Sequence, residues 1–354
     1  MAKKIDDKGF LLEELLRAYF LRSGIYAVRS VPLQLQGDDL TDVDIWLYER
    51  PTGSSRRRQI VDVKSKLKPK ATERLLWTKG LCELLDVDGA YVATTDNRPV
   101  LKQISSRLGV SILDGADLKR MGESKKILFS DRLSEENFNN LIKTVDKGRR
   151  NKDLQIGYHD LKAALIDEFG ASTVIRALEH FSSFSKYLTS SHPGNHAAEA
   201  SLRLSYLAAS ITAIALDFSL AKIPFKSAEE RRKTVISVIR YGVDDENRGF
   251  EKVRIAAALV EKYTPSGRAI SQSMINAVRE DYDRIPAEII ADHILTHLKD
   301  DGLYRVARTL ESEAFSMLLR PFDELSVEEK SFLGILMDFG GIERTLFAGA
   351  WSSQ

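Results

Sequence analysis

The chain has 354 residues, of which 43% are hydrophobic and 29% are charged, with 52 Lys and Arg against 51 Asp and Glu. This balance is typical of a folded globular protein and argues against a disordered chain, and the length allows two domains. Cys82 is the only cysteine, which excludes an intramolecular disulfide and a cysteine-ligated zinc site.

Two further features predict the compartment. The first twenty residues are charged every few positions and therefore lack the apolar core of a signal peptide. The longest apolar stretch, residues 206–218, is shorter than the ~20 residues that span a bilayer. A single cysteine suits a reducing environment. We therefore expect a cytoplasmic protein without a membrane span.

The first 122 residues alternate between helical and strand patterns. Apolar residues at helical spacing predict helices over residues 9–23, 72–85, 99–108 and 116–121. Alternating or continuous apolar runs predict strands over residues 28–35, 43–48, 59–63, 89–95 and 110–113. The order α-β-β-β-α-β-α-β-α predicts a mixed sheet with helices against its faces.

After Gly122 the strand patterns disappear. From about residue 134 to the end, amphipathic helical patterns follow one another, separated by Gly, Pro or polar clusters. We therefore predict an α/β domain over residues 1–122 and an all-α domain over residues 123–354. The helical domain carries no recognisable catalytic motif, so by elimination its predicted role is recognition, oligomerisation or partner binding.

Charged residues interrupt two neighbouring strands of the predicted sheet. Asp44 precedes the apolar run of one strand, and Asp62 and Lys64 lie in the next, in the segment QIVDVK. A turn joins these strands, so we expect them to pair as an antiparallel hairpin. The i, i+2 spacing puts Asp62 and Lys64 on one face, which an aspartate on the paired strand can share. Glu13 lies in the preceding helix, which is expected to cover that end of the sheet.

Carboxylates beside a lysine suit one kind of chemistry. Mg²⁺ prefers carboxylate oxygens and keeps several of its waters. A bound Mg²⁺ acidifies one of those waters and neutralises charge on a phosphodiester. A lysine orients or deprotonates the attacking water, or stabilises the charge that develops on the phosphate oxygens. These residue types therefore indicate metal-assisted hydrolysis of a phosphodiester bond.

At these positions the sequence resembles the PD-(D/E)XK nuclease superfamily, which has the restriction-endonuclease-like fold, and within it the Mrr-type and Holliday-junction-resolvase-like branch. The resemblance covers about residues 9–121. The positions that carry it are Gly9, Glu13 and Gly24 in the first helix, Asp44, and the motif Asp62-Val63-Lys64. The segments GAYVATT and LGVSILDGADLKRM match the elements that follow this motif in the family.

The resemblance implies a Mg²⁺- or Mn²⁺-dependent endonuclease that hydrolyses DNA, works as a homodimer or larger assembly, and serves genome defence or DNA processing. It implies that Asp44, Asp62 and the backbone carbonyl of Val63 bind the metal. Glu13 would complete the acidic site, directly or through water. Lys64 would position the nucleophilic water and stabilise the transition state.

Basic residues flank the motif on both sides, namely Arg56, Arg57 and Arg58 before it and Lys66, Lys68 and Lys70 after it. Close to a scissile phosphate they would supply the sequence-independent part of nucleic-acid affinity, whereas the alternative is a solvated hairpin tip and loop. No aromatic residues interleave with them, so the run predicts no stacking platform for single strands. Trp77, in the following helix, is expected to lie in the core.

Other interpretations stay open at the level of sequence. Asp42 shares strand parity with Asp44 and competes for the metal position, although the apolar run follows Asp44 directly. The residue before Asp42 is also not the Pro or Gly that is usual at this position in the family. A catalytically inactive relative would bind nucleic acid or assemble without cleaving it, and no residue distinguishes RNA from DNA as the substrate. The helical domain could instead be the functional part, as a protein-interaction scaffold that regulates the nuclease.

Overall fold

The structure is a computed structural model that describes residues 3–35, 38–64, 70–124, 127–147, 152–221, 223, 225–297 and 301–352. The chain forms two compact units. The first comprises Met1–Asp167 together with Phe315–Leu318, and the second comprises Glu168–Ala314 and Leu319–Gln354.

A five-stranded mixed sheet forms the centre of the first unit, which confirms the predicted sheet class. The strands lie side by side in chain order, and their bounds are β1 Tyr26–Leu35, β2 Asp38–Glu49, β3 Arg57–Lys64, β4 Gly89–Thr94 and β5 Ser111–Leu113. The pairs β1–β2 and β2–β3 are antiparallel, whereas β3–β4 and β4–β5 are parallel. A helix follows β3 and another follows β4, because parallel neighbours need a crossover connection.

The described residues of this unit form the helices α1 Lys3–Arg22, α2 Ala71–Leu84, α3 Val100–Leu108, α4 Gly115–Glu123, α5 Glu135–Asp146 and α6 Asp153–Ala163. The first helix ends where the sequence predicts, because Gly24 adopts a φ of 86° that favours glycine. The fourth begins at a capping box formed by Asp114 and Asp117.

Side-chain alternation along the hairpin puts the charged site residues on the face opposite one apolar core. Ile45 of β2 and Val61 and Val63 of β3 are buried in a core shared with Leu16 of α1. Residues at the alternate positions of the same strands therefore point to the opposite face of the sheet. Asp44, Asp62 and Lys64 occupy such positions, so the pattern that builds the core also places these three charged residues on one face.

The first unit continues beyond the boundary that the sequence suggested. Loss of strand patterns placed that boundary at residue 122, whereas the compact unit runs to Asp167 and includes α5 and α6. Phe138 of α5 is fully buried and stacks on Phe315, with ring centroids 4.6 Å apart. Helices that pack through such long-range contacts leave no boundary signal in the local sequence.

A buried cluster of charges also joins these helices to the sheet. Arg29 of β1 is fully buried and binds carboxylates of Glu13 and Glu14 in α1 and of Glu136 in α5. Arg29 therefore links α1 to α5, because buried charges are stable only when they are paired.

Helices make up the second unit: α7 Ala171–Ser190, α8 His196–Leu220, α9 Ala228–Tyr241, α10 Glu246–Gly249, α11 Glu251–Tyr263, α12 Gly267–Asp283, α13 Ala287–His297, α14 Gly302–Phe315, α15 Val327–Gly340 and α16 Arg344–Gly349, with a 3₁₀ turn over Phe322–Glu324. An α/β unit followed by helices is thus confirmed. By length and composition alone α8 could cross a membrane, but 94% of its most apolar window is buried inside the protein. It is the core helix of this unit.

Candidate active site

The candidate site lies where β2 and β3 separate. Their registered pairs run from Glu49 and Arg57 to Ile45 and Val61. One step further, the side chain of Asp44 replaces a backbone partner, because its Oδ2 accepts a hydrogen bond from the Val63 N–H at 2.6 Å. The N–H and C=O of one residue in an extended strand point to the same edge. The carbonyl of Val63, the predicted backbone ligand, is therefore directed to the edge at which Asp44 lies.

The other neighbour of β2 is also irregular at Asp44. In β1, Ser30 lies between the registered pairs Arg29–Ile45 and Val31–Val43, and its φ is 50°. A residue other than glycine seldom adopts this conformation, and such strain concentrates at functional sites. Regular backbone pairing is thus interrupted on both sides of Asp44.

The separated strands open into a cleft of about 300 Å³. Its charged and aromatic lining consists of Asp42, Asp44, Asp62, Lys64, Arg74 and Trp77. The structure therefore brings together three residues that the sequence predicts, Asp44, Asp62 and Lys64. Asp42 borders the same cleft and is exposed, so it remains a neighbour of the site.

Asp44 is a carboxylate whose negative charge is poorly compensated. Burial raises its pKa from 3.8 to about 6, even though the hydrogen bond from Val63 and the charge of Lys64 act to lower it. The neighbouring charges of Asp62 and Glu13 add to the rise. A cation in this cleft would restore the ordinary acidity of Asp44, because an opposite charge favours the ionised form.

Asp62 has a cationic partner supplied by the chain. Arg74 Nε donates to Oδ2 of Asp62 at 2.8 Å, and Arg74 Nη2 contacts the other oxygen. Lys64 Nζ lies 4.0 Å from the Asp62 carboxylate. Such a bidentate guanidinium–carboxylate pair is strong and directional. An ion that binds Asp62 must therefore displace or rearrange Arg74.

Glu13 is committed to another group. Its Oε2 accepts a hydrogen bond from Arg29 Nη2 at 2.6 Å. Burial raises the pKa of Glu13, while Arg29 and Lys64 act against that rise. Glu13 therefore influences the site through its charge, but it is not among the described residues that line the cleft. The expected role as a metal ligand would require it to leave Arg29.

The arginines of the hairpin lie away from the cleft. Arg57 begins β3 five residues before Asp62, which is roughly 17 Å at 3.3 Å per residue. Arg56 donates to carbonyl groups of its own turn, and Arg58 binds Asp86 in the α2–β4 connection. These arginines are therefore not among the residues that line the cleft, because they lie at the opposite end of β3, and their contact with nucleic acid stays a prediction.

Of the three lysines predicted to bind nucleic acid, the structure describes Lys70 alone. Lys70 is exposed and pairs with Glu73 at 3.0 Å on the first turn of α2. Lys66 and Lys68 lie outside the described residues.

Sequence analysis missed Arg74 and misplaced Trp77, and both residues line the cleft. The buried stripe of α2 consists of Ala71, Leu75, Thr78 and Cys82. Trp77 precedes Thr78 by one residue, which turns it about 100° from that stripe. It is 52% exposed, so the expectation that it lies in the core is wrong. On a helical projection of α2, Arg74 and Trp77 lie on one flank of the buried stripe.

The donor set fits one kind of cation. Within the part of the chain that the structure describes, no three His, Cys, Asp or Glu side chains form a metal-binding group. Mg²⁺, however, is commonly held by one or two carboxylates and keeps its remaining waters. Asp44 and Asp62 supply two carboxylates at one cleft, and the undercompensated charge of Asp44 favours a cation. These residues therefore fit Mg²⁺ or Mn²⁺ bound largely through water.

Comparison of the chain with protein-family models, with curated proteins and with solved structures finds no match. Function must therefore be inferred from the residues of the cleft, since a fold by itself does not define an activity.

Proposed function

We propose that the first unit is a metal-dependent endonuclease of the PD-(D/E)XK type, which hydrolyses phosphodiester bonds in DNA. One observation carries the proposal: Asp44, Asp62 and Lys64 line a single cleft where β2 and β3 separate. The raised pKa of Asp44 supports it, because a buried carboxylate that destabilises the protein is expected where a cation binds.

Each residue has a role that follows from its place. Asp44 and Asp62 would hold the ion through carboxylate oxygens. When bound, Mg²⁺ or Mn²⁺ would supply a Lewis acid and lower the pKa of its water. Lys64 is half-buried at the same cleft, where its ammonium group would orient the attacking water and stabilise negative charge on the phosphate oxygens. Arg74, which pairs with Asp62, would become available to bind phosphate if an ion neutralised that carboxylate.

Cleavage of supercoiled plasmid in Mg²⁺ or Mn²⁺ tests this assignment. We expect the wild-type chain to cut, and we expect Asp62→Asn and Lys64→Met to lose about 100-fold or more of the rate. Lys79→Met is a matched control, because Lys79 lies on α2 and pairs only at the surface with Glu83. Undiminished cleavage by both site variants would refute the site.

A specific observation favours a second candidate, a nucleic-acid-binding protein that has lost catalysis. Arg74 already neutralises both oxygens of Asp62, so the chain provides a cation where a nuclease uses a metal. Anisotropy of a labelled DNA, measured with and without Mg²⁺, separates the two. Binding with no product at any metal concentration would support the second candidate, whereas metal-dependent product that disappears in Asp62→Asn would exclude it.

A further inference from the structure

We infer that Trp77 is a stacking platform for an unpaired base, so that the preferred substrate is DNA with a single-stranded segment rather than a continuous duplex. The inference rests on the proposed function for the position of the phosphate next to that base. It concerns a residue that the proposed chemistry does not use.

The position of Trp77 is unusual for a tryptophan. It is 52% exposed and lines the charged cleft, whereas Trp46 in β2 is fully buried. Arg74 precedes it by three residues and Leu81 follows it by four, and both line the same cleft. Residues at this spacing share one side of a helix. One flank of α2 therefore presents an aromatic ring, a guanidinium and an apolar edge to the carboxylates.

The chemistry of this flank matches a nucleobase. Every base has a π face that stacks on aromatic side chains, and arginine adds a cation–π contribution. The Arg74 guanidinium carbon lies 5.8 Å from the centre of the Trp77 ring, so both groups can border the same planar ligand. Lys64 lies in the same cleft and supplies a positive charge for the adjoining phosphate.

The size of the cleft selects for an unpaired base. A volume of about 300 Å³ is at the lower end of the range of small-molecule sites, which suits a single nucleotide. A base within a duplex must first be unstacked and unpaired, which costs a few kcal/mol, whereas a single-stranded base does not incur this cost. The same tryptophan should therefore favour ends, gaps and loops over intact duplex.

A protein partner would need a different surface. Among the described residues, five with charged side chains line the cleft around Trp77, whereas a docking site for an apolar segment is depleted of charge at its centre. Leu76 is exposed and adjoins Trp77 in the chain, but it is not among the residues that line the cleft. Leu76 therefore provides a matched control for the loss of exposed apolar surface on α2.

The test is binding of labelled oligonucleotides to the full chain in Ca²⁺ and in EDTA, where binding is measured separately from Mg²⁺- or Mn²⁺-dependent cleavage. The ligands are a single-stranded 12-mer, its duplex, and the same single strand carrying abasic sites. Stacking of ~1–3 kcal/mol per base corresponds to about five- to 150-fold in affinity. We expect Trp77→Ala to lose at least five-fold for the single strand and less than two-fold for the duplex. Trp77→Phe should retain most of the affinity, and Leu76→Ala should match the wild type.

The abasic ligand decides whether a base is the contact. With it, the wild type and Trp77→Ala should bind alike, because the group that stacks is absent. Equal losses on single strand and duplex, or an unchanged affinity for the single strand, would overturn the inference. Binding that depends on Trp77 without any cleavage in Mg²⁺ would retain the inference and refute the nuclease. Cleavage that depends on Asp62, with no effect of Trp77→Ala on binding, would support the nuclease and refute the inference about Trp77.

Discussion

The buried charge of Asp44 gives a quantitative test of the site that does not depend on activity. In Asp44→Asn the side-chain oxygen can still accept the hydrogen bond from the Val63 N–H, but the negative charge is gone. The pKa of Asp44 rises from 3.8 to about 6, mainly through burial. At about 1.36 kcal/mol per pKa unit, ionisation of Asp44 in the folded protein costs about 3 kcal/mol. We therefore expect Asp44→Asn to be more stable than wild type by up to about 3 kcal/mol at pH 8 without divalent metal.

The sign of the pH dependence follows from linkage. The pKa of Asp44 is higher in the folded chain than in the unfolded one, so the folded state binds this proton more tightly. The stabilising contribution of Asp44 is fully present below pH 3.8 and is lost as the pH rises through 6. The advantage of Asp44→Asn should therefore be small near pH 4 and reach its full value above pH 7.

Urea unfolding in EDTA, followed by tryptophan fluorescence, measures this difference across the pH range. Comparison with Asp44→Asn cancels the titration of all other groups that both proteins share. Asp42→Asn is the matched control, because Asp42 is exposed on the same strand, and we expect less than about 0.5 kcal/mol there. A gain from Asp44→Asn that does not vary with pH, or a loss of stability at pH 8, would refute the reasoning.

Two further predictions concern cations that pair with buried carboxylates. Arg74→Met should lower the Mn²⁺ concentration for half-saturation, because the ion no longer competes with a bidentate guanidinium for Asp62. Calorimetric titration measures this concentration, and an unchanged or weaker affinity for Mn²⁺ would contradict the prediction. Lys162→Met should cost about 3–5 kcal/mol in urea unfolding, because it leaves Glu135 buried without the ammonium group that lies 2.7 Å away. A cost below about 1 kcal/mol, the size expected for a surface pair, would show that Glu135 does not depend on Lys162.

Much of the sheet and its charged face was predictable from local pattern. Strand alternation puts Asp62 and Lys64 on one face because the spacing is two residues, and the hairpin turn brings Asp44 to the same end. Their shared cleft follows from these local rules together with the separation of the strands. Burial of Val61 and Val63 on the other face fixes the register, since a slip of one residue would bury the charges.

The residues that sequence analysis missed or misplaced depend on long-range packing. Trp77 is apolar, but whether it is buried depends on the rotation of α2 against the sheet, which no local pattern specifies. Glu13, the expected metal ligand, pairs with Arg29 of β1, a contact that no local pattern specifies, and its role at a metal stays a prediction. The end of the first unit was missed for the same reason, because α5 joins it through a buried phenylalanine and charges whose partners are distant in the chain.

Arg74 connects the electrostatics of the cleft with the choice of ligand. Without an ion, its guanidinium compensates Asp62 but leaves Asp44 with a raised pKa, so the balance of charge is incomplete. If a divalent cation bound both carboxylates, as we propose, it would take the place of the guanidinium at Asp62, and α2 would hold that guanidinium beside Trp77. The positive charge of Arg74 would then be available to a ligand at the Trp77 flank. On the proposed function, metal binding and nucleic-acid binding should therefore favour each other, because the same side chain would oppose the first and assist the second.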